Sequence, residues 1–263
     1  MTIETTGYAL YPNFLTTEEI DRFLLDYKNS RFMPASSVIN QDMHDATDSV
    51  LETIHDKIRI VLKQLDFNVD LVLRGGTYTD TTLMNLDWHQ DHLSYYMFQH
   101  HYRYLNFYIT LSKENTQQSG LSIVPFDALE KTVPEYVGKI KNSGASRFYP
   151  KNNNTKVFND NTGEEYTMPV NIDSIKISPA LSPGDLLVIR GDVIHKTQDN
   201  ITNRIALSVR CIDSTLPMNI NKILAGCELK QQAFTANQSS VNEVKKRFES
   251  AGVTEMTVLE FFK

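Results

Sequence analysis

The sequence predicts a mainly β-stranded domain, an antiparallel sandwich or barrel with helices packed on its outside. Two stretches with helical spacing come first, and short strand-like stretches separated by turn signals follow them. Helices that flank a run of antiparallel strands are typical of this architecture. The predicted strands cover 69–74, 86–91, 103–111, 121–125, 176–178, 185–190 and 204–211.

The composition is that of a globular protein without a nucleic-acid partner. Of the 263 residues, 41% are hydrophobic and 22% are charged, which suits one domain with a sizeable core. The net charge of −6 argues against nucleic-acid binding, and the lack of an apolar run of about 18 residues argues against a membrane span. No signal-peptide pattern begins the chain, and two cysteines suit a reducing compartment, so we expect a cytoplasmic protein.

Three segments follow one another along the predicted domain. The N-terminal flank, 1–68, is helical: Thr16 and Glu19 have the spacing of a capping box, and a second helix is predicted over 49–65. The strands build the core over 69–212, and the tail, 213–263, becomes helical again after Ser240. Within the core, 142–171 is polar and rich in asparagine. This insertion is either a lid over a site or a disordered surface segment.

Two metal-binding side chains stand close together in the predicted strand 86–91. His89 and Asp91 are two residues apart, so in a strand both point to the same face. A third ligand must come from a distant strand, and His195 follows the apolar strand 185–190. Two histidines and one carboxylate leave coordination positions open, as in non-heme Fe(II) oxygenases. The alternative is a buried histidine that is hydrogen-bonded to a neighbouring aspartate.

Two predicted strands have one polar and one apolar face. On 204–211 the polar face carries Arg204, Ala206, Ser208 and Arg210, and on 103–111 it carries Tyr104, Asn106, Tyr108 and Thr110. Such faces suit the lining of a polar barrel interior, in which a guanidinium can bind a carboxylate through two hydrogen bonds. The alternatives are a surface salt bridge for Arg204 and a half-exposed strand with its tyrosines outside.

These stretches together resemble the Fe(II)/2-oxoglutarate-dependent dioxygenases, in particular the phytanoyl-CoA dioxygenase-like family. The matching stretches are "GYALYPNFLTTEEI" near the start, "WHQD" at 88–91, "YITLSKENTQQSGLSIVP" at 108–125 and "SPGDLLVIRGDVIHKTQDNITNRIALSVR" at 182–210. The resemblance implies a double-stranded β-helix, also called a jelly roll or cupin-like fold. Two departures stand out: "PFDA" at 125–128 replaces the family's Pro-Gly-Ser-His, and Arg204 follows His195 by nine residues where longer spacings are also common.

The resemblance also implies roles for individual residues. His89, Asp91 and His195 would bind Fe(II), and Arg204 would hold the distal carboxylate of 2-oxoglutarate. The other expected contacts are Thr197 and Tyr108 at the cosubstrate, and Asn106, Tyr104, Arg210 and Arg74 at the substrate. Because Asp91 is present, oxygenation is favoured over the halogenation of relatives that have a small residue there.

The predicted activity is hydroxylation, desaturation or cyclisation of a small polar or acidic molecule, such as an amino-acid derivative or a natural-product intermediate. O₂ and 2-oxoglutarate would be consumed, and succinate and CO₂ released. Two other functions stay open. One is a catalytically silent jelly-roll module that binds metal or ligand, and the other is a cupin-type metalloenzyme that needs no keto acid. The sequence predicts no oligomeric state.

Overall fold

The structure is a computed structural model. It describes residues 2–30, 32–33, 43–67, 71–80, 86–99, 103–199, 201–236 and 238–263, with the backbone alone at 32–33, 43–44, 71–75, 93 and 239–240. No helix in these ranges is both long and apolar enough to cross a bilayer.

The N-terminal flank contains short strands as well as helices. Its elements are α1 (Ile3–Thr6), β1 (Tyr8–Tyr11), α2 (Thr17–Asn29), β2 (Phe32–Met33), β3 (Met43–Asp45), α3 (Asp48–Glu52) and α4 (His55–Gln64). The predicted capping box starts α2: the Thr16 hydroxyl accepts from the Glu19 amide, and the Glu19 carboxylate accepts from the Thr16 amide. The predicted helix 49–65 is instead two helices, because the Thr53 hydroxyl donates to the Val50 carbonyl and a turn follows.

The core and tail are mainly strands and helices, respectively. The core consists of β4 (Leu71–Asp80), α5 (Leu93–Phe98), β5 (Tyr104–Lys113), β6 (Leu121–Val124), α6 (Phe126–Thr132), α7 (Pro134–Ile140), β7 (Ser146–Lys151), β8 (Asn154–Asn159), β9 (Glu165–Met168), a 3₁₀ turn (Ile172–Ser174), β10 (Leu186–Arg190), β11 (Ile194–Thr197) and β12 (Arg204–Asp213). The tail consists of β13 (Pro217–Asn219), α8 (Ile220–Leu224), α9 (Glu228–Ala236), α10 (Gln238–Ala251), β14 (Glu255–Thr257) and α11 (Val258–Phe261). The mainly β class with flanking helices is therefore confirmed.

The major sheet has seven antiparallel strands in the order β1-β10-β5-β12-β4-β3-β2. One face packs against α2, α3 and α4, and residues such as Phe107, Ile109 and Leu207 form this outer core. The opposite face turns inward, where Tyr108, Leu187 and Ala206 contribute to a second cluster. The period of two in β5 and β12 therefore separates an apolar outer face from a lining of the interior.

The minor sheet closes the other side of the barrel. β11 pairs with β6, and β7, β8 and β9 form an antiparallel meander. Segment 86–91 joins the two parts, because His89 bridges to His195 on one side and to Arg147 on the other. The predicted strand 86–91 is thus irregular, with only His89 in a bridge. Predicted strand 176–178 is likewise reduced to one bridge, between Ile177 and Ile123.

The insertion 142–171 has an ordered role in this closure. It supplies β7, β8 and β9, and Ser146 and Phe148 exchange backbone hydrogen bonds with the segment that carries His89. Phe148 and Val157 are buried in the inner cluster. The insertion is therefore a wall beside the candidate metal site, which neither interpretation of the sequence had foreseen.

Candidate metal centre

Three side chains from two distant segments meet inside the barrel. The ligand atoms of His89, Asp91 and His195 all lie within 4.8 Å of one another. Nε2 of His89 is 4.0 Å from Oδ1 of Asp91, and Nε2 of His195 is 3.8 Å from the same oxygen. Within the described ranges, no other set of three histidine, cysteine or acidic side chains is so arranged. One cation at the centre of this group could contact all three.

Backbone pairing brings the ligands together. The amide of His89 donates to the carbonyl of His195 over 3.0 Å, and the amide of His195 donates back over 3.0 Å. Such a reciprocal pair holds the two residues directly opposite each other. Asp91 follows two residues after His89 and returns to the same side. The candidate site therefore depends on the register between 86–91 and β11.

In both imidazoles, Nδ1 lies within hydrogen-bond distance of a backbone carbonyl. His89 Nδ1 is 2.6 Å from the Asp87 carbonyl, and His195 Nδ1 is 3.0 Å from the Val193 carbonyl. Because a carbonyl can only accept, each Nδ1 carries the proton and each Nε2 presents its lone pair to the centre. Burial, as the main cause, and the neighbouring His195, as the second, lower the pKa of His89 to about 3. A neutral imidazole is the form that binds a metal.

Gln90 connects segment 86–91 (the ligand segment, which carries His89 and Asp91) to the turn before His195. Its side chain is fully buried, and its amide nitrogen donates to the Ile140 carbonyl over 2.9 Å and to the Asp192 carbonyl over 2.7 Å. Asp192 is itself held by a buried ion pair with Arg190, whose other hydrogen bonds reach Glu4 and Asn142. These contacts fix the turn 191–193, and β11, which contains His195, begins directly after this turn. Sequence reasoning overlooked Gln90.

His92 is close to the centre but belongs to a different cluster. Its Nε2 is 3.1 Å from Oδ2 of Asp160, which also accepts from Arg147 in β7. Nothing in the sequence pattern links His92 with Asp160, since they are far apart in the chain.

Arg204 lies at the end of the interior away from the triad. It is buried, and its Nη1 donates to the Ser119 hydroxyl over 3.1 Å and to the Asp199 carbonyl over 3.2 Å. Its positive charge acts on Tyr108, although burial is the larger effect and leaves the pKa of that phenol raised. The structure thus brings Arg204 and Tyr108 together, as the sequence predicted.

Two threonines near this end differ in their hydrogen bonds. The Thr197 hydroxyl accepts from the Leu86 amide over 3.2 Å, so it fastens β11 to the ligand segment. The Thr110 hydroxyl is buried and has no hydrogen-bond partner among the described residues. Thr110 pairs with Ala206, whose small side chain leaves room on the inner face. An unsatisfied hydroxyl in a barrel interior is costly unless a ligand supplies the partner.

Lys113 joins Arg204 through an irregularity of the sheet. The register of β5 and β12 shifts between Ile205 and Ala206, and the shift aligns Lys113 with Arg204. Both residues line a cleft of about 440 Å³. Burial and, next, the charge of Arg204 lower the pKa of Lys113 to about 8, against the opposing effects of Asp199 and Asp185. The period-two pattern of the sequence gave no sign of this lysine.

The remaining predicted substrate residues line the end of the interior near the triad. Tyr104 is buried, and Asn106 accepts a hydrogen bond from the Ser208 hydroxyl over 2.6 Å. Arg210 pairs with Asn106 across the strands, and its guanidinium interacts electrostatically with the Tyr104 phenol and the Asp91 carboxylate. Arg74 belongs to β4 near Arg210, but its side chain lies outside the described part of the chain.

The fold is that of known iron- and 2-oxoglutarate-dependent enzymes with a double-stranded β-helix. The non-heme alpha ketoglutarate dependent epimerase SnoN from nogalamycin biosynthesis superposes with a TM-score of 0.57 at 15% identity, covering 82% of each chain. HygX from Streptomyces hygroscopicus, solved with nickel, 2-oxoglutarate and hygromycin B, gives 0.52 at 13% identity, covering 81% of this chain and 85% of its own. The carbocyclase SnoK gives 0.52 at 13% identity, covering 82% and 83%.

Comparison of the sequence alone finds no relative of this chain. No family model matches the chain, and no curated protein matches it. The structural likeness therefore establishes the jelly-roll fold that the sequence predicted.

Proposed function

We propose that this protein is an Fe(II)- and 2-oxoglutarate-dependent oxygenase of small molecules. The observation that carries the proposal is the group of His89, Asp91 and His195, with both Nε2 atoms and one carboxylate oxygen turned to a common centre. Two imidazoles and one carboxylate would hold a divalent ion and would leave other coordination positions free for a cosubstrate and O₂. Solved structures of the same fold hold Fe³⁺, nickel and 2-oxoglutarate.

The interior also suits a keto diacid that reaches from the triad to Arg204. The guanidinium of Arg204 can bind a carboxylate, and the partnerless Thr110 hydroxyl can donate to the same group. Tyr108 belongs to the inner cluster, and the charge of Arg204 acts on its phenol. We assign the distal carboxylate of 2-oxoglutarate to Arg204, with Thr110 and Tyr108 beside it. Thr197, the hydroxyl that the resemblance places at the cosubstrate, accepts from the Leu86 amide, and its contact with the cosubstrate stays a prediction.

When bound, ferrous iron with 2-oxoglutarate supplies the oxidation of an unactivated C–H bond by O₂, with release of succinate and CO₂. The protein contributes position and neutral ligands. The carbonyls of Asp87 and Val193 hold the two imidazoles, and Asp91 adds the single negative charge of the ligand set. The buried walls from β5, β7 and β12 keep water from the reacting centre.

The substrate is expected to be a small molecule from a biosynthetic pathway. The epimerase SnoN has been solved with nogalamycin RO, and HygX with hygromycin B, so the same fold accepts complex natural products. Hydroxylation, desaturation and cyclisation all begin with removal of a hydrogen atom, and the triad alone does not select among them. The retained Asp91 favours these outcomes over halogenation.

A succinate assay separates this proposal from its rivals. Purified protein with Fe(II), ascorbate and 2-oxoglutarate should release succinate slowly alone and faster with a substrate. A silent binding module would bind Fe(II) and 2-oxoglutarate without turnover, and a keto-acid-independent cupin would not bind 2-oxoglutarate at all. Calorimetry with 2-oxoglutarate in the presence and absence of the metal distinguishes these two alternative functions.

Lys113 gives the cosubstrate site a dependence on pH. Because the pKa of this ammonium is lowered to about 8, the side chain is charged below that pH and neutral above it. The affinity for dianionic 2-oxoglutarate should therefore fall as the pH rises through 8, by roughly 5-fold at most for a partly exposed pair. Binding is measured by calorimetry from pH 6.5 to 9.5, a range chosen to bracket a group titrating near about 8.

Two variants of Lys113 control this measurement. Lys113→Met should bind more weakly at low pH and lose the inflection, whereas Lys113→Arg should keep the affinity and also lose the inflection, since arginine stays charged. An unchanged pH profile in Lys113→Met would show that Lys113 is not near the bound carboxylate.

A further inference from the structure

Arg210 is an arginine on the inner face of β12, beside the candidate metal site. It pairs with Asn106 of β5, two residues along the same face from Ser208. The groups that interact electrostatically with its guanidinium are the Tyr104 phenol and the Asp91 carboxylate. Since Asp91 is one of the three converging ligands, Arg210 faces the end of the interior where the proposed reaction occurs.

The guanidinium of Arg210 is not satisfied by the protein around it. Its Nε is buried from solvent and has no hydrogen-bond partner among the described residues. Within that part of the chain it also forms no ion pair, whereas Arg190, Arg103 and Arg147 each pair with an aspartate. A buried guanidinium nitrogen without a partner costs free energy, so this position suits a ligand that supplies the missing acceptor.

Asp91 is not the missing partner, although its charge acts on Arg210. Its Oδ1 lies 3.8 Å from Nε2 of His195 and 4.0 Å from Nε2 of His89, so this oxygen is directed at the triad. Tyr104 is neutral, because burial raises the pKa of its phenol. Asn106 already uses its carbonyl oxygen to accept from Ser208. None of these three neighbours accepts a hydrogen bond from Nε of Arg210.

The sum of charges in the interior, with metal and 2-oxoglutarate bound, also indicates that Arg210 requires an anionic ligand. Asp91 and a dianionic cosubstrate outweigh a divalent ion by one negative charge, and Arg204 balances that charge. Lys113 has Asp199 and Asp185 nearby at the far end. The charge of Arg210 is then left over at the end that faces the substrate. A charge that is partly removed from solvent is stabilised by an opposite charge brought in by the ligand.

We propose that Arg210 binds a carboxylate of the substrate, so that this oxygenase acts on small carboxylic acids. The inference rests on the proposed function and adds the substrate class to it. A carboxylate fits the planar guanidinium through two parallel hydrogen bonds, and Tyr104 and Asn106 lie beside it for further polar contacts. The carboxylate of the substrate is thereby held close to Asp91 and the candidate metal site. This position directs oxidation to the carbons near the carboxylate.

The test compares acids with their neutral amides. The probes are α-amino and α-hydroxy monocarboxylic acids, each paired with its primary amide, added to the Fe(II)- and 2-oxoglutarate-loaded protein. The readouts are the change in visible absorption of the anaerobic complex and the stimulation of succinate release in air. Acids that bind should do so at least about 10-fold more tightly than their amides. An equal response to both, or no response to any acid, overturns the proposal.

Variants at Arg210 assign the effect to this residue. Arg210→Met should weaken binding of the responsive acids at least about 10-fold while the affinities for metal and for 2-oxoglutarate stay within about 2-fold, and Arg210→Lys should recover part of the loss. Arg59→Met, at an exposed arginine of α4, is the matched control and should change nothing. If Arg210→Met instead weakens metal or 2-oxoglutarate binding as much as acid binding, Arg210 serves those ligands and the proposal is wrong.

Failure of this inference is distinguishable from failure of the proposed function. A wild-type protein that binds Fe(II) and 2-oxoglutarate but does not prefer acids contradicts only the substrate class. A wild-type protein that does not bind 2-oxoglutarate in the presence of the metal contradicts both.

Discussion

His195→Ala is expected to weaken Fe(II) binding by more than about 100-fold and to abolish succinate release, because even residues that only orient a metal ligand contribute about 10- to 100-fold. The imidazole of His195 is one of three side chains that converge on a common centre, and no other described histidine can replace it there. Binding is measured by anaerobic titration with Fe(II), and turnover by succinate release with saturating metal.

The matched control is His92→Asn, which alters a histidine close to the centre in space. His92 contacts Asp160 rather than the triad, and asparagine can keep a hydrogen bond to that carboxylate. This variant should bind Fe(II) as the wild type does. Equal losses in both variants, with lowered thermal unfolding midpoints, would indicate general destabilisation, and full activity of His195→Ala would refute the assignment.

Arg204→Met is expected to weaken 2-oxoglutarate binding by roughly 100-fold, since truncating one member of a buried, hydrogen-bonded charge pair costs about 2–5 kcal/mol. Arg204 is buried, and Ser119 and Asp199 hold its guanidinium in position. Metal affinity should change little, because the triad is at the other end of the interior. Calorimetry with each ligand separately measures the two effects.

Arg204→Lys is the informative companion. A lysine keeps the charge but not the forked hydrogen bonds, so its affinity should lie between those of wild type and Arg204→Met. If Arg204→Met binds 2-oxoglutarate normally and Arg210→Met does not, the two arginines exchange their assigned roles.

The triad and the polar lining could be predicted because strands alternate with a period of two. Arg204 and Arg210 share the inner face of β12, as that period requires, and His89 and Asp91 reach the same side although only His89 is in a bridge. The period also marked Tyr108 as an inner residue. Local spacing was sufficient for these residues because each lies in, or directly beside, paired backbone.

Other parts of the site depend on contacts between distant segments, which spacing does not encode. β7 pairs with the ligand segment although its sequence is polar, and Gln90 binds carbonyls of α7 and of the turn before β11. The bulge that aligns Lys113 with Arg204 shifts the alternation by one residue, so a regular pattern assigns that lysine to the wrong face. The Thr110 hydroxyl was visible in the sequence, but its lack of a partner was not.

The most direct test of the account is an anaerobic titration of the apoprotein with Fe(II) and then 2-oxoglutarate, followed by visible absorption. Chelation of ferrous iron by the keto and carboxylate oxygens of one molecule produces a charge-transfer band that neither component gives alone. We predict this band at one iron and one 2-oxoglutarate per chain, and its loss in His195→Ala. A wild-type protein without the band, or a His195→Ala variant that retains it, would contradict the claim that these three residues bind iron for a 2-oxoglutarate-dependent reaction.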